Sequence, residues 1–593
     1  MKKFIILFLI YSSYLFSQTD LIRSNDITEN EIIYHIKYLS SDKLQGRRTG
    51  EKWCDSAGAY IEREFIHYGL KPFNNSFRQY YDLTSSLSLG RNNKLNIKGL
   101  KLQPKIEKDF IPLSSSSTGK VRAELIFAGY GISLPDSTYN DYASIDVKDK
   151  IVIILSGYPE NDSSKKYFRF DNIRYKATIA RDKGAKAIIF VKIPTADEKD
   201  ILPKIRSERS SSKVGIPIIQ ITYKLAKDIF KYQKMDLDLL TKKINTENKP
   251  IQVNFNKLQT DLWVEIIENK AKTFNVIGYV EGNDPNLKNE YIVIGAHYDH
   301  LGLGGSGSVE PDKKAIHHGA DDNASGTSGV LELAQYFSAN KDKIGRTLIF
   351  MAFSGEEEGL LGSSYYVKNP LVPLEKTVAM INMDMIGRLK DNKLIVNGAG
   401  SSPIFINLLN KYNKDSLFNL KTNNDGFSPS DNSSFYGKNI PVMMFFTDLH
   451  PDYHKPSDTW DKINVTGTKS ILELAKNVLT DLSNEKSKIE FVKAKSDSFS
   501  RRDMPGFRVS TGIIPDFSEE TNGVKIQGTR DGSPASKAGL KAGDIIIKLG
   551  NKTIKNLYDY TFALGDFKPG DKVTVIWLRE GKEMTGEMEL TRR

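Results

Sequence analysis

Four short apolar runs, EYIVIGAH, RTLIFMAFS, KTVAMINMD and IPVMMFFT, divide the stretch from Glu290 to Thr447 and constrain the fold more than any other feature of the chain. They are rich in branched and aromatic residues, too short for helices, and continuous rather than alternating, as strands buried on both faces are. Helical segments lie between them, such as Ser325–Ala339 with Val330, Leu331, Ala334 and Phe337 on one face. Strands alternating with helices predict an α/β domain, beginning near Phe274, whose largely parallel sheet is covered on both sides. In such a sheet the ligand site lies beyond the carboxyl ends of the strands.

Those ends carry the chemistry. AHYDH closes the first run, GEEEG follows the second, NMDMIG ends the third and DLHPDYH follows the fourth. Six of the eight histidines fall between His297 and His454. Residues two apart on a strand point the same way, so Asp299 is expected to orient the imidazole of His297 from behind. In GADDNASG, a turn before a helix, Asp322 is read as a carboxylate bridging two cations and Asp321 as local support. In SGEEEGLLGS the glycines allow close packing, so that of Glu356 and Glu357 one binds metal while its neighbour acts as base. Asp384, at the end of a buried-looking strand, needs a partner, and a cation supplies one. Either His450 or His454 completes the set. Two histidines and three carboxylates support two ions with open positions, the catalytic arrangement. Nitrogen and oxygen donors favour zinc, with manganese or cobalt as alternatives.

The rest of the chain frames this domain. At 593 residues it exceeds one hydrophobic core several-fold. Lys2 and Lys3, the apolar run from Phe4 to Ile10 resuming at Tyr14–Phe16, and then Ser17 and Gln18 predict a secretory signal peptide cut near Ser17. The run is shorter than the roughly 20 residues of a membrane anchor, so no integral membrane segment is expected after cleavage. The single cysteine, Cys54, excludes an intrachain disulfide and means that sulfur cannot be the main metal ligand. The net charge of +11 is dispersed, without the basic runs interleaved with aromatics that nucleic acid would require. From Val121, strands and a helix around Tyr175–Lys183 suggest a separate α/β unit over 118–249. Residues 484–507 read as a polar linker. Beyond it GVKIQGT, SPASKAGL and GDIIIKLGNKTI read as strand, short helix and strand–turn–strand, with Ser533 as N-cap and Gly539 as helix stop.

With these motifs in place, AHYDH, GADDNASG, GEEEGLLGS, NMDMIGR and YHKPSDT occur in the order of the co-catalytic zinc aminopeptidases, and the chain closely resembles that family, which includes secreted bacterial leucyl aminopeptidases and glutamate carboxypeptidase relatives. The resemblance implies two zinc ions, one held by His297 and Asp384, the other by Glu357 and His454, with Asp322 between them and Glu356 as general base. It makes SSDKLQGRRTG part of the same peptidase domain. The 118–249 unit then looks like an inserted protease-associated (PA) domain, and 508–593 like a bacterial PDZ domain. The implied division is a signal at 1–17, peptidase at 18–117 and 250–483, and the linker at 484–507. One departure stands out: relatives often carry SDH where this chain reads Ser430, Asp431, Asn432, which leaves a substrate contact at that position in doubt.

The expectation is an exported, periplasmic or extracellular hydrolase that removes N-terminal residues from peptides by way of a water between the zinc ions. The phenol of Tyr453 is expected to stabilise the oxyanion. Competing readings are a carboxypeptidase, dipeptidase or glutaminyl-cyclase-like enzyme on the same scaffold, or a non-catalytic binding protein. The PDZ unit would capture a peptide or protein C-terminus by strand addition.

Overall fold

The computed structural model describes residues 24–592 apart from 135–137, 160–166, 168–170, 196, 206–212, 306, 494–508, 516–520 and 530–531. The expected signal peptide at 1–17 and most of the expected linker lie outside the described residues.

The four apolar runs form adjacent strands, β1 (Tyr291–His297), β2 (Thr347–Phe353), β3 (Thr377–Met383) and β4 (Val442–Phe446), in the spatial order β2-β1-β3-β4 within a nine-stranded sheet. All three contacts among them are parallel. Register brings their carboxyl ends level: His297 lies opposite Phe353, Gly295 opposite Asn382 and Met383 opposite Phe445. Side chains alternate between two cores. Ile292 and Ile294 face helices Glu29–Leu39, Lys52–His67, Gly326–Ala339 and Val465–Asn484, whereas Val293 faces Leu361–Lys368 and Asn432–Tyr436. The sheet is thus sandwiched by helices, and antiparallel strands at its flanks make it mixed.

Strand Arg78–Leu89, absent from the sequence reading, pairs antiparallel with Ile266–Val280 to form a long ribbon. The ribbon leads into a separate seven-stranded sheet. That sheet takes in Lys94–Ile97, Phe110–Pro112 and Gln252–Val264, all outside the span 118–249 expected for the inserted unit. These strands lack the long apolar run that marks a buried strand, because two of them are short and the third carries charged and amide residues. The chain from Glu485 to Lys493, read as linker, packs on the nine-stranded domain instead: Ile489 is buried, Phe491 meets Tyr436, and the Val492 amide donates to the Ser401 carbonyl at 2.8 Å.

The C-terminal unit has a six-stranded sheet with helices Pro534–Lys537 and Leu557–Leu564. The second helix docks on the inserted unit. Asp559 meets Arg181 at 2.9 Å and accepts from the Thr178 hydroxyl at 3.1 Å, while Phe562 lies against Tyr175 with ring centroids 3.9 Å apart. No helix among the described residues is long and apolar enough to cross a membrane.

Candidate metal centre

The level strand ends bring the sequence-predicted residues into one buried cluster. His297 is the last residue of β1, Glu356 and Glu357 follow β2, and Asp384 follows β3. Asp322 comes from the turn Ala320–Ser325, which runs into helix Gly326–Ala339. His454 comes from the loop after β4, at a left-handed φ of 54° that non-glycine residues seldom adopt.

Two candidate ligand groups share Asp322: one with His297 and Asp384, the other with His300 and Glu357. His297 Nε2 lies 3.4 Å from Asp322 Oδ1 and 3.5 Å from Asp384 Oδ1. His454 Nε2 lies 3.1 Å from Asp322 Oδ2 and 3.4 Å from Glu357 Oε1. Both imidazoles turn their other nitrogen to backbone: His297 Nδ1 is 3.2 Å from the Asp299 carbonyl and His454 Nδ1 is 2.8 Å from that of Gly307. A histidine whose Nδ1–H is held in this way presents Nε2 with a free lone pair.

His300 was missed by sequence reasoning, although it stands in the same AHYDH string. Its Nδ1 approaches Glu357 Oε1 to 2.8 Å and Asp322 Oδ2 to 3.9 Å, so that it faces the carboxylates His454 also faces. The 2.8 Å approach is out of hydrogen-bonding alignment.

The supporting residues differ from expectation in detail. Asp299 was expected to orient His297 through its carboxylate, but that contact is 3.7 Å long and the backbone carbonyl is nearer. Its carboxylate instead accepts the amide N–H groups of Glu356 at 3.1 Å and Glu357 at 3.3 Å. Asp321 does give local support, accepting from the Gly387 amide at 2.6 Å and the Ser325 hydroxyl at 2.9 Å. His450 is no surface residue, because its Nε2 lies 3.2 Å from Asp321 with both side chains buried or nearly so. Asp458, the aspartate of YHKPSDT, accepts the amides of Asp321 and Asp322 at 2.9 and 3.1 Å. Tyr453 stacks on His454 with ring centroids 3.8 Å apart. Asn432 is buried, its side chain occupied by the Ser428 hydroxyl at 2.9 Å and the Gly426 carbonyl at 2.8 Å.

Electrostatics describe a site that wants cations. Burial disfavours the charged form of Asp322, yet the hydrogen bonds from His297 and His454 hold its carboxyl well below the usual range. Burial pushes Glu356 well above that range, the His297 charge opposes this, and Glu357 and Asp384 add to it. Asp431 is raised to about 7, chiefly by burial. Asp384 Oδ1 and both nitrogens of His300 are buried without an aligned hydrogen-bond partner among the described residues. Carboxylates crowded in a buried pocket are costly unless cations compensate them. The donor set therefore fits divalent metal.

Residues 275–479 match the model of peptidase family M28, residues 121–229 that of the PA domain and residues 512–590 that of the PDZ domain. An aminopeptidase of Pseudomonas aeruginosa (strain UCBPP-PA14) is 26% identical over 301 residues, covering 50% of this chain and 46% of the relative. Aminopeptidase YwaD of Bacillus subtilis (strain 168) is 27% identical over 338 residues, covering 55% of this chain and 61% of the relative. The chain thus spans less than two thirds of either. Among solved structures, an aminopeptidase from Aneurinibacillus sp. strain AM-1 aligns over 79% of this chain and 97% of that chain at 22% identity, with a TM-score of 0.46.

Proposed function

We propose, from the peptidase family M28 match of residues 275–479 beside a PA and a PDZ domain, that the chain is an exported zinc aminopeptidase. The observation that carries the reading is the spacing of donor atoms at the strand ends. Donors at the corners of a tetrahedron about 2.0–2.1 Å from zinc stand roughly 3.3–3.4 Å apart. His297 stands 3.4 and 3.5 Å from Asp322 and Asp384, and His454 stands 3.1 and 3.4 Å from Asp322 and Glu357. His300, at 2.8 and 3.9 Å, fits those edges less well and suits a supporting place beside Glu357. His297 and Asp384 would then hold one ion and His454 and Glu357 the other, with Asp322 common to both.

Zinc held by these residues would supply a Lewis acid that polarises a scissile carbonyl and makes the attacking water more acidic. Glu356, its carboxylate 3.9 Å from His297 Nε2 and aimed into the cluster, takes the proton of the attacking water and returns it to the leaving amine. The Asp299 carboxylate fixes the backbone of Glu356 and Glu357, so that base and ligand keep their separate places. Burial holds the Tyr453 phenol in its protonated form, raised above the usual range, and it donates to the developing oxyanion. The PDZ domain would take a peptide or protein C-terminus outside the chemistry, and export rests on the charged and apolar pattern of residues 2–18.

A panel of amino-acid p-nitroanilides, unblocked peptides and their N-acetylated counterparts tests the reaction. Hydrolysis confined to free-amine substrates is expected. Cleavage of N-blocked peptides from their C-terminal end, or cyclisation of N-terminal glutamine, would replace the aminopeptidase by another reaction on this scaffold.

A further inference from the structure

The segment SSDKLQGRRTG has no part in the reaction as described, yet its residues reach the backbone that carries every strand-end ligand of β1 and β2. Gly46 comes so close to the loop after β1 that a Cβ there would lie 2.4 Å from the Gly302 carbonyl oxygen and 2.6 Å from that of His317. Arg47, fully buried, donates to the carbonyls of Tyr298 at 2.9 Å, His318 at 2.7 Å and Gly319 at 3.0 Å, and also to that of Leu39. It thereby ties the end of β1 to the turn that supplies Asp322. Arg48 pairs with Glu358 at 3.3 Å.

Thr49 completes the connection. Its hydroxyl donates to Asp299 Oδ2 at 2.8 Å and accepts the Gly355 amide at 3.0 Å. The roles are forced: the amide can only donate, so the single hydroxyl proton goes to the carboxylate. Asp299 in turn receives the amides of Glu356 and Glu357. One buried hydroxyl, 4% exposed as a residue, therefore closes a ring through Asp299 and the backbone after β2.

We infer that Thr49 is a positioning residue, which acts through Asp299 and the Gly355 amide to set the places of Glu356 and Glu357. The inference rests on the proposed role of Glu356 as base. Supporting partners of this kind change activity or metal affinity by roughly 10–100-fold when removed.

The test compares Thr49→Val, which keeps the shape and loses the hydroxyl, with Thr49→Ser, which keeps the hydroxyl and loses the methyl group. Full-length proteins are assayed on a free-amine p-nitroanilide, with zinc content measured on the same samples. The expected result is a fall in kcat of roughly 10–100-fold for Thr49→Val, with KM changed less than about threefold, and near wild-type kcat for Thr49→Ser. If Thr49→Val does not fold, Thr49→Ala takes its place with the same expected loss. Wild-type kcat in the hydroxyl-less variant, or equal losses in it and Thr49→Ser, overturns the inference. Glu356→Gln run alongside separates the two levels. If that variant keeps full activity, the base assignment falls and this inference with it; if it is inactive while Thr49→Val is fully active, only this inference falls.

Discussion

Arg181 Nη2 lies 2.9 Å from Asp559 Oδ2, with side chains 3% and 2% exposed, and the two residues belong to different domains. Removing one partner of a buried pair leaves an uncompensated charge and typically costs about 3–5 kcal/mol. Arg181→Met should therefore release the PDZ domain from the PA domain, since the stack of Phe562 on Tyr175 is left as the main apolar contact between their helices. Small-angle scattering should report a larger radius of gyration for the variant. An unchanged radius would mean that other contacts hold the domain.

Glu356→Gln should keep zinc and lose roughly 10²–10⁴-fold in kcat, the usual contribution of a positioned acid–base group. The amide keeps the shape but cannot accept the proton. Steady-state kinetics together with metal analysis of the same sample check this, and loss of zinc instead would make Glu356 a ligand.

His300 and His454 face the same carboxylates, and substitution separates them. His454→Ala should lose one of the two proposed ions and nearly all turnover. His300→Ala should retain both with zinc affinity weakened by roughly 10–100-fold. Competition with a chelator of known affinity measures the difference, and the reverse order would exchange their roles.

In the PA domain, burial raises the Asp141 carboxyl to about 7, against an ordinary value of 3.8, while the Ile132 amide donates to it at 2.9 Å. The native state thus holds a proton that the unfolded chain releases as pH rises from about 4 to about 7. Stability of this domain should fall across that window as pH rises. Asp141→Asn, which has no proton to lose, should flatten the dependence. Urea midpoints between pH 4 and 7 for both proteins test the sign, and equal slopes would refute it.

Much of this architecture is legible in the sequence because burial leaves a local mark. The four apolar runs identify β1–β4. The helix predicted at Ser325–Ala339 begins at Gly326, after the tight turn that carries Asp322. Thr28 caps the first helix, its hydroxyl accepting from the Glu31 amide at 3.2 Å and donating to the Glu31 carboxylate at 2.7 Å. What escaped notice lacks such a mark. Gln79, Tyr81 and Leu83 alternate as a strand should, but the serines at 85, 86 and 88 dilute the pattern.

The supporting residues of the site escaped for another reason. Thr49 meets Asp299 across 250 residues, and Asp458 meets the amides of Asp321 and Asp322 across 137 and 136. Nothing near Thr49 or Asp458 in the chain specifies those partners; only the folded sheet brings them together. His300 escaped because its neighbour His297 already explained the string they share.

Asp322 is common to both candidate ligand groups, which makes it the residue on which the proposed two-metal centre depends. Zinc stoichiometry of the purified protein by plasma mass spectrometry, measured beside Asp322→Ala, tests it most directly. Two zinc ions per chain are expected in the wild type, and loss of both from tight binding in the variant. An active wild type with no bound metal, or a variant that retains two ions, would contradict it.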